Sequence, residues 1–120
     1  MNKIQTLDRF WNSFGLKAYD ENSVPDDTSF PYITYEVTSD SFGNTLAQTA
    51  SLWYRSSSWS EITEKAQDID DFITRGGRTI AYDKGAMWIQ KGSPWAQRMN
   101  DPSDDMIRRI VLNITIEFLD

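Results

Sequence analysis

The sequence contains no cysteine and no histidine. Without cysteine there is no disulfide, no thiolate nucleophile and no cysteine-held metal. Without histidine, Ser-His-Asp and Cys-His catalysis are excluded, and the commonest transition-metal ligand is missing. Long apolar runs are absent too, and none approaches the ~20 residues of a membrane span. Met1 to Asp8 lacks the apolar core of a signal peptide, so synthesis in the cytoplasm is expected. Basic residues are in the minority: 12 Lys and Arg against 18 Asp and Glu give a net charge of −6. That balance argues against broad binding to a phosphate backbone.

What remains is a chain of 120 residues, rich in aromatics at 13% with 5 Trp. Its length supports a single domain over 1–120. Large rigid side chains fill cores, and they also anchor interfaces.

Hydrophobic spacing predicts the elements. Ile4, Leu7, Trp11 and Phe14 form one stripe over 2–14, with Asn2 as N-cap and Gly15 closing the helix. Residues 16–31 read as a long loop, pinned by Leu16, Tyr19, Val24 and Phe30. Alternation from Pro31 to Thr38 and from Thr45 to Ser56 predicts two strands joined by a glycine-bearing turn at 39–44. Ser58-Trp59-Ser60-Glu61 reads as a capping box, opening a helix whose buried stripe is Ile62, Ala66, Ile69 and Ile73. Gly76-Gly77 ends it. Arg78–Tyr82 and Ala86–Lys91 flank a hairpin turn with Gly85 in the left-handed region. Residues 92–105 read as an irregular loop, and Met106–Leu119 as a closing strand.

The expected fold is α+β, in the order α-β-β-α-β-β-β. About five mainly antiparallel strands carry two amphipathic helices on one face. The other face carries Thr, Ser, Asn, Arg and a few aromatics. A half-polar open face of this kind is where a ring-forming subunit could meet its neighbour.

The chain carries little that points to chemistry. There is no Walker-type glycine loop and no Gly-x-Ser-x-Gly elbow. Acid pairs occur at Asp26-Asp27, Asp70-Asp71 and Asp104-Asp105, all in polar surroundings. Asp20, Glu21, Asn22, Asp26 and Asp27 crowd oxygen ligands into one loop, but the central Gly and final Glu of an EF-hand are missing. Neither a catalytic nor a metal site is expected, and no cofactor.

Charge is segregated along the chain. Glu61, Glu64, Asp68 and Asp71 line the second helix, and Arg75, Arg78 and Lys84 follow it. A solvated surface accounts for that pattern. So does a head-to-tail ring in which the basic stretch of one subunit meets the acidic helix of the next. Trp95, Arg98 and Met99 are residue types enriched at interface cores, so they are candidate contacts to a partner. Trp95 can alternatively fold back as a lid on the sheet.

Ala18-Tyr19-Asp20-Glu21-Asn22-Ser23-Val24-Pro25, then Phe30-Pro31-Tyr32-Ile33-Thr34-Tyr35, resembles the N-terminal half of small tail proteins of phages and prophages of Gram-positive bacteria. Ile107 to Leu119 is similar to the last strand of that group. The resemblance is to tail terminators, also called tail-completion, minor capsid or tail-to-head joining proteins. It implies an α+β fold and a hexameric ring at the head-proximal end of a long tail tube. That ring stops tube polymerisation and presents a surface to the head connector. Implied partners are further copies of the chain, the tail tube protein and the head-tail connector protein, with DNA passing through unbound. The implied location is the virion, the implied role structural rather than enzymatic. The alternatives are a head-completion or stopper protein, and a small metal-binding or carboxylate-dependent hydrolase domain.

Overall fold

The computed structural model describes residues 1–36 and 45–119. Helix α1 spans Lys3–Trp11 and runs into a 3-10 turn, Asn12–Phe14. Strands β1 (Lys17–Asp20), β2 (Tyr32–Tyr35) and β3 (Thr45–Arg55) follow. Then come α2 (Ser60–Ile73), β4 (Arg78–Tyr82), β5 (Gly85–Asn100) and β6 (Ile107–Leu119). The strands form one curled sheet in the order β1-β2-β3-β6-β5-β4, antiparallel except where β1 meets β2.

Helix α1 begins as its sequence predicts. The Asn2 side chain accepts from the Gln5 amide at 2.8 Å, and the Gln5 side chain accepts from the Asn2 amide at 3.1 Å. Two orphan donors of the first turn are thereby satisfied. Gly15, at φ 82°, ends the 3-10 turn in the left-handed region that glycine adopts without strain.

The start of α2 differs from the capping box expected at Ser58. Trp59 occupies the N-cap position and makes no side-chain cap. The Ser58 hydroxyl instead accepts from the Ser60 amide at 3.0 Å, a local turn that competes with capping. The Trp59 ring is fixed from outside by two guanidinium groups, Arg98 at 4.9 Å and Arg108 at 5.2 Å.

Strand β1 falls inside the stretch expected to be a loop. It is only four residues long, and its pairing with β2 is parallel. Local alternation cannot announce so short a strand. Its outer edge is closed by Asn12, whose side chain accepts from the Ala18 amide at 2.9 Å and donates to the Ala18 carbonyl at 3.4 Å. Asn12→Ala is expected to cost about 1–2 kcal/mol, because two buried-side backbone groups lose their partner. Chemical denaturation measures it, and unchanged stability would show that the clasp carries no energy.

Strand β5 also exceeds its prediction. It continues through Gly92 and Pro94 to Asn100, where a loop was expected. A register shift between Lys91 and Ala96 takes up the residues that cannot hold a regular ladder. Gly85 is not left-handed and simply opens β5, opposite Tyr82. The expected turn at 39–44, with Val37 and Thr38, lies outside the described residues.

Both helices cover one face of the sheet. Ala50, Leu52 and Tyr54 of β3, with Ile110, Leu112, Ile114 and Ile116 of β6, point into the core under Leu7, Phe10, Trp11, Ile62, Ile69 and Ile73. Trp11 is fully buried, and its Nε1 donates to the Gln48 side chain at 3.0 Å. Gln48 in turn donates to the Glu36 carbonyl at 2.6 Å, so this buried polar chain ends on the backbone.

Candidate functional site

The acidic residues singled out on α2 form one exposed face. Glu61, Glu64, Asp68 and Asp71 all face solvent. Asp68 lies 3.9 Å from Lys65, and Asp71 accepts from Gln67 at 2.9 Å. Burial, then Glu61 and Asp68, push the Tyr54 phenol above its ordinary value.

The basic residues are not equivalent. Arg75, Arg78 and Lys84 are all exposed, but Arg78 also has partners on α2. Arg78 is engaged within its own chain: its guanidinium lies 4.4 Å from the Phe72 ring, and its Nε donates to the Phe72 carbonyl at 2.8 Å. It therefore braces the end of α2.

Trp95, Arg98 and Met99 do not share a face. Arg98 pairs with Ile110 in the β5–β6 register, on the helix side. Trp95 is half-buried against the core and lines a groove with Thr63, Ala66, Gln67 and Asp70 of α2. It does fold back, though toward the helix. Met99 pairs with Arg109 on the opposite, open side, where it is 41% exposed.

That open face holds a row the sequence does not announce. Tyr32 stands opposite Trp53, and Trp53 opposite Arg109. The Tyr32 and Trp53 rings stack at 6.1 Å with 15° between planes. The Arg109 guanidinium lies 4.6 Å from the Trp53 ring, and its Nε donates to Ser51 at 3.1 Å. Trp53 Nε1 donates to Thr34 at 2.9 Å. Tyr19 and Phe30 extend the row at 6.3 and 5.3 Å from Tyr32. Alternation alone places Trp53 and Arg109 on this face. Only the strand register makes them neighbours.

The groove between α2 and β5 has a volume of about 210 Å³. Ala66, Ala96, Ile110 and Trp95 supply its apolar surface. Asp70 at its end is bound by Lys91. Toward the start of α2 it is bordered by Arg98.

Several of the loop carboxylates have local partners. Asp20 accepts from the Asn22 amide at 2.9 Å, a turn rather than a ligand set. Asp26 and Asp27 are exposed. Asp104 accepts from the Met106 amide and from Arg55, and both hold its carboxyl below the usual range. Asp101 is held low by the Ser103 hydroxyl and amide. A depressed carboxyl stabilises above its unfolded value and ceases to do so as pH falls through its folded one. The 101–106 turn is therefore expected to loosen in acid before the sheet does. Amide exchange at Ser103 and Met106 measures this, and uniform acid behaviour along the chain would contradict it.

Among the described residues, no three Asp or Glu side chains gather into a metal-holding group. No helix of the described residues is long and apolar enough to cross a membrane. Comparison with family models, with curated proteins and with solved structures found no match.

Proposed function

We propose that the protein is a structural component of a phage virion, a tail terminator. In this reading it forms a ring, a hexamer in the family it resembles, on the head-proximal end of the tail tube. The ring stops polymerisation and joins the tail to the head connector. The observation that carries the reading is the open sheet face. Both helices pack on one side, and the row Tyr32, Trp53 and Arg109, half-buried, with the exposed Met99, lies on the other, which neither helix covers. Aromatic, Met and Arg side chains on a face that no helix covers are interface chemistry. The acidic balance suits a ring through which DNA passes without sticking.

Electron microscopy of lysates from a phage lacking this gene tests the proposal. Overlong tails beside filled, tailless heads are expected, because the tube has lost its stop. Free tails of normal length beside heads that leak DNA would replace it with the head-completion reading. Intact infectious particles would overturn both.

Within the ring, Arg75, Arg78 and Lys84 face a neighbour's Glu61, Glu64, Asp68 and Asp71; Arg75 and Lys84 are the pair to vary, since Arg78 also braces its own helix. The double variant Arg75→Glu, Lys84→Glu is expected to weaken complementation of the deletion by about tenfold or more. Adding Glu64→Lys and Asp68→Lys should restore part of it. Full complementation by the double variant would remove this charge pairing from the ring.

A further inference from the structure

The two ends of the sheet are treated differently. At one end the edge of β1 is closed: Asn12 occupies both backbone groups of Ala18, and the Asp20 carbonyl accepts from the Ser23 amide. At the other end, β4 covers only Gly85–Ile89 of β5. Among the described residues, no strand pairs with 90–100 on the side away from β6. Ala96, Gln97, Arg98, Met99 and Asn100 are all exposed. A row of unpaired amides and carbonyls is a template for a further strand.

Helix α2 runs antiparallel to this edge. Asp70 near its end meets Lys91, and Trp59 at its start meets Arg98. An added strand would therefore send alternate side chains against the flank of α2. Opposite Ala96 that side chain meets the apolar groove of Ala66, Ile110 and Trp95. Opposite Arg98 it meets two cations, Arg98 and Arg108 on the Trp59 ring; the N-terminus of α2 beside them carries Glu61 in its first turn, so the arginines supply the positive charge. The one carboxylate lining the groove, Asp70, is already bound by Lys91.

We infer that the groove between α2 and the free edge of β5 is a docking site for an extended segment of another protein, which adds to the sheet as an antiparallel strand with an acidic residue opposite Arg98 and an apolar residue two positions later, over the groove. Charge complementarity selects this occupant. Two copies of the chain pairing edge to edge about Arg98 would set like charges directly opposite, which is unfavourable. Strand β4, the other outer strand at this end, carries Arg78 and no acid. Antiparallel addition sets the order of the motif, acid first, and is the more stable pairing per residue. The inference rests on the assembly reading only in expecting a protein partner. Trp95 and Arg98 thereby gain a role together, and Met99 is left to the open face.

The test uses a random heptapeptide library selected on the purified protein. The expected enrichment is Asp or Glu, any residue, then Leu, Ile, Val or Phe. Selection on Arg98→Glu is expected to exchange the acid for Lys or Arg and to leave the apolar position unchanged. Arg108 remains on Trp59 in that variant, which keeps the fold. Thr63→Trp, an exposed helix position lining the groove, is expected to lower the affinity of a selected peptide at least tenfold without touching the edge. Amide exchange at 96–100 should slow when that peptide binds, and methylation of alternate peptide nitrogens should abolish binding. No enriched pattern, a pattern indifferent to Arg98→Glu, or slowed exchange elsewhere would overturn the inference. A failed selection beside overlong tails in the deletion lysate would remove the docking groove and leave the terminator. A successful selection beside intact particles would do the reverse.

Discussion

Replacing Trp11 by Ala is expected to lower the unfolding free energy by about 3–5 kcal/mol. Trp11 is fully buried, and its ring meets Phe10 edge-on at 4.8 Å and Phe14 at 6.3 Å. Removing it opens a cavity where α1 joins the sheet. It also leaves the Gln48 side-chain oxygen without the donor that satisfies it at 3.0 Å. A buried acceptor left unpaired accounts for about 1–3 kcal/mol of that loss. Trp11→Phe separates the two effects, since it keeps much of the volume and loses the same hydrogen bond. Urea unfolding measures both variants, with an unchanged slope showing that stability alone has moved. A loss below about 1 kcal/mol in Trp11→Ala would mean that α1 is not held by this residue.

Replacing Gly77 by Ala is expected to cost about 2–4 kcal/mol, the left-handed penalty together with overpacking. Gly77 sits at φ 86°, which L side chains rarely adopt. A methyl group there would collide with Trp88 Nε1 and stand 2.8 Å from the Ile89 carbonyl oxygen. The Trp88 ring cannot simply swing away, because its Nε1 donates to the Gly76 carbonyl at 2.9 Å. Gly76 provides the control: a methyl group there meets nothing within 4 Å. Gly76→Ala should therefore be close to neutral. Equal effects at the two positions, read by thermal unfolding, would show that the close approach of the α2–β4 turn to β5 is not what holds it.

Much of the fold is legible locally. The stripes Leu7, Trp11, Phe14 and Ile62, Ala66, Ile69, Ile73 predict the buried faces of both helices, because helical spacing is a property of neighbouring residues; Ile4, expected on the first stripe, is 55% exposed, and Phe10 is buried instead. The alternation of Ile110, Leu112, Ile114 and Ile116 predicts the buried face of β6 for the same reason. Gly92 and Pro94 mislead, since residues that break a regular ladder also build a bulge. Ser58 misleads because two hydrogen-bonded turns compete for one hydroxyl, and Trp59 is decided by arginines far along the chain.

The candidate site divides along the same line. Its residue types are visible in the chain: the acids of α2, the basic stretch after it, and Trp95, Arg98 and Met99. Their grouping is not. Met99 and Arg98 are adjacent in sequence and lie on opposite faces, because successive strand residues alternate. Arg78 follows the acidic helix as a charge, and only the fold shows that it also rests on Phe72 of that helix. Trp53 and Arg109 meet only because β3 and β6 pair in one register.

By itself the sequence determined the absence of cysteine and histidine chemistry, the acidic balance, the two amphipathic helices and the α+β class. These follow from composition and from spacing over a few residues. The tertiary structure alone decided the parallel β1, the long β5 with one open edge, the stacked row on the face away from the helices and the groove beside α2. Each of these depends on which strand lies beside which, and that is set by contacts between residues tens of positions apart.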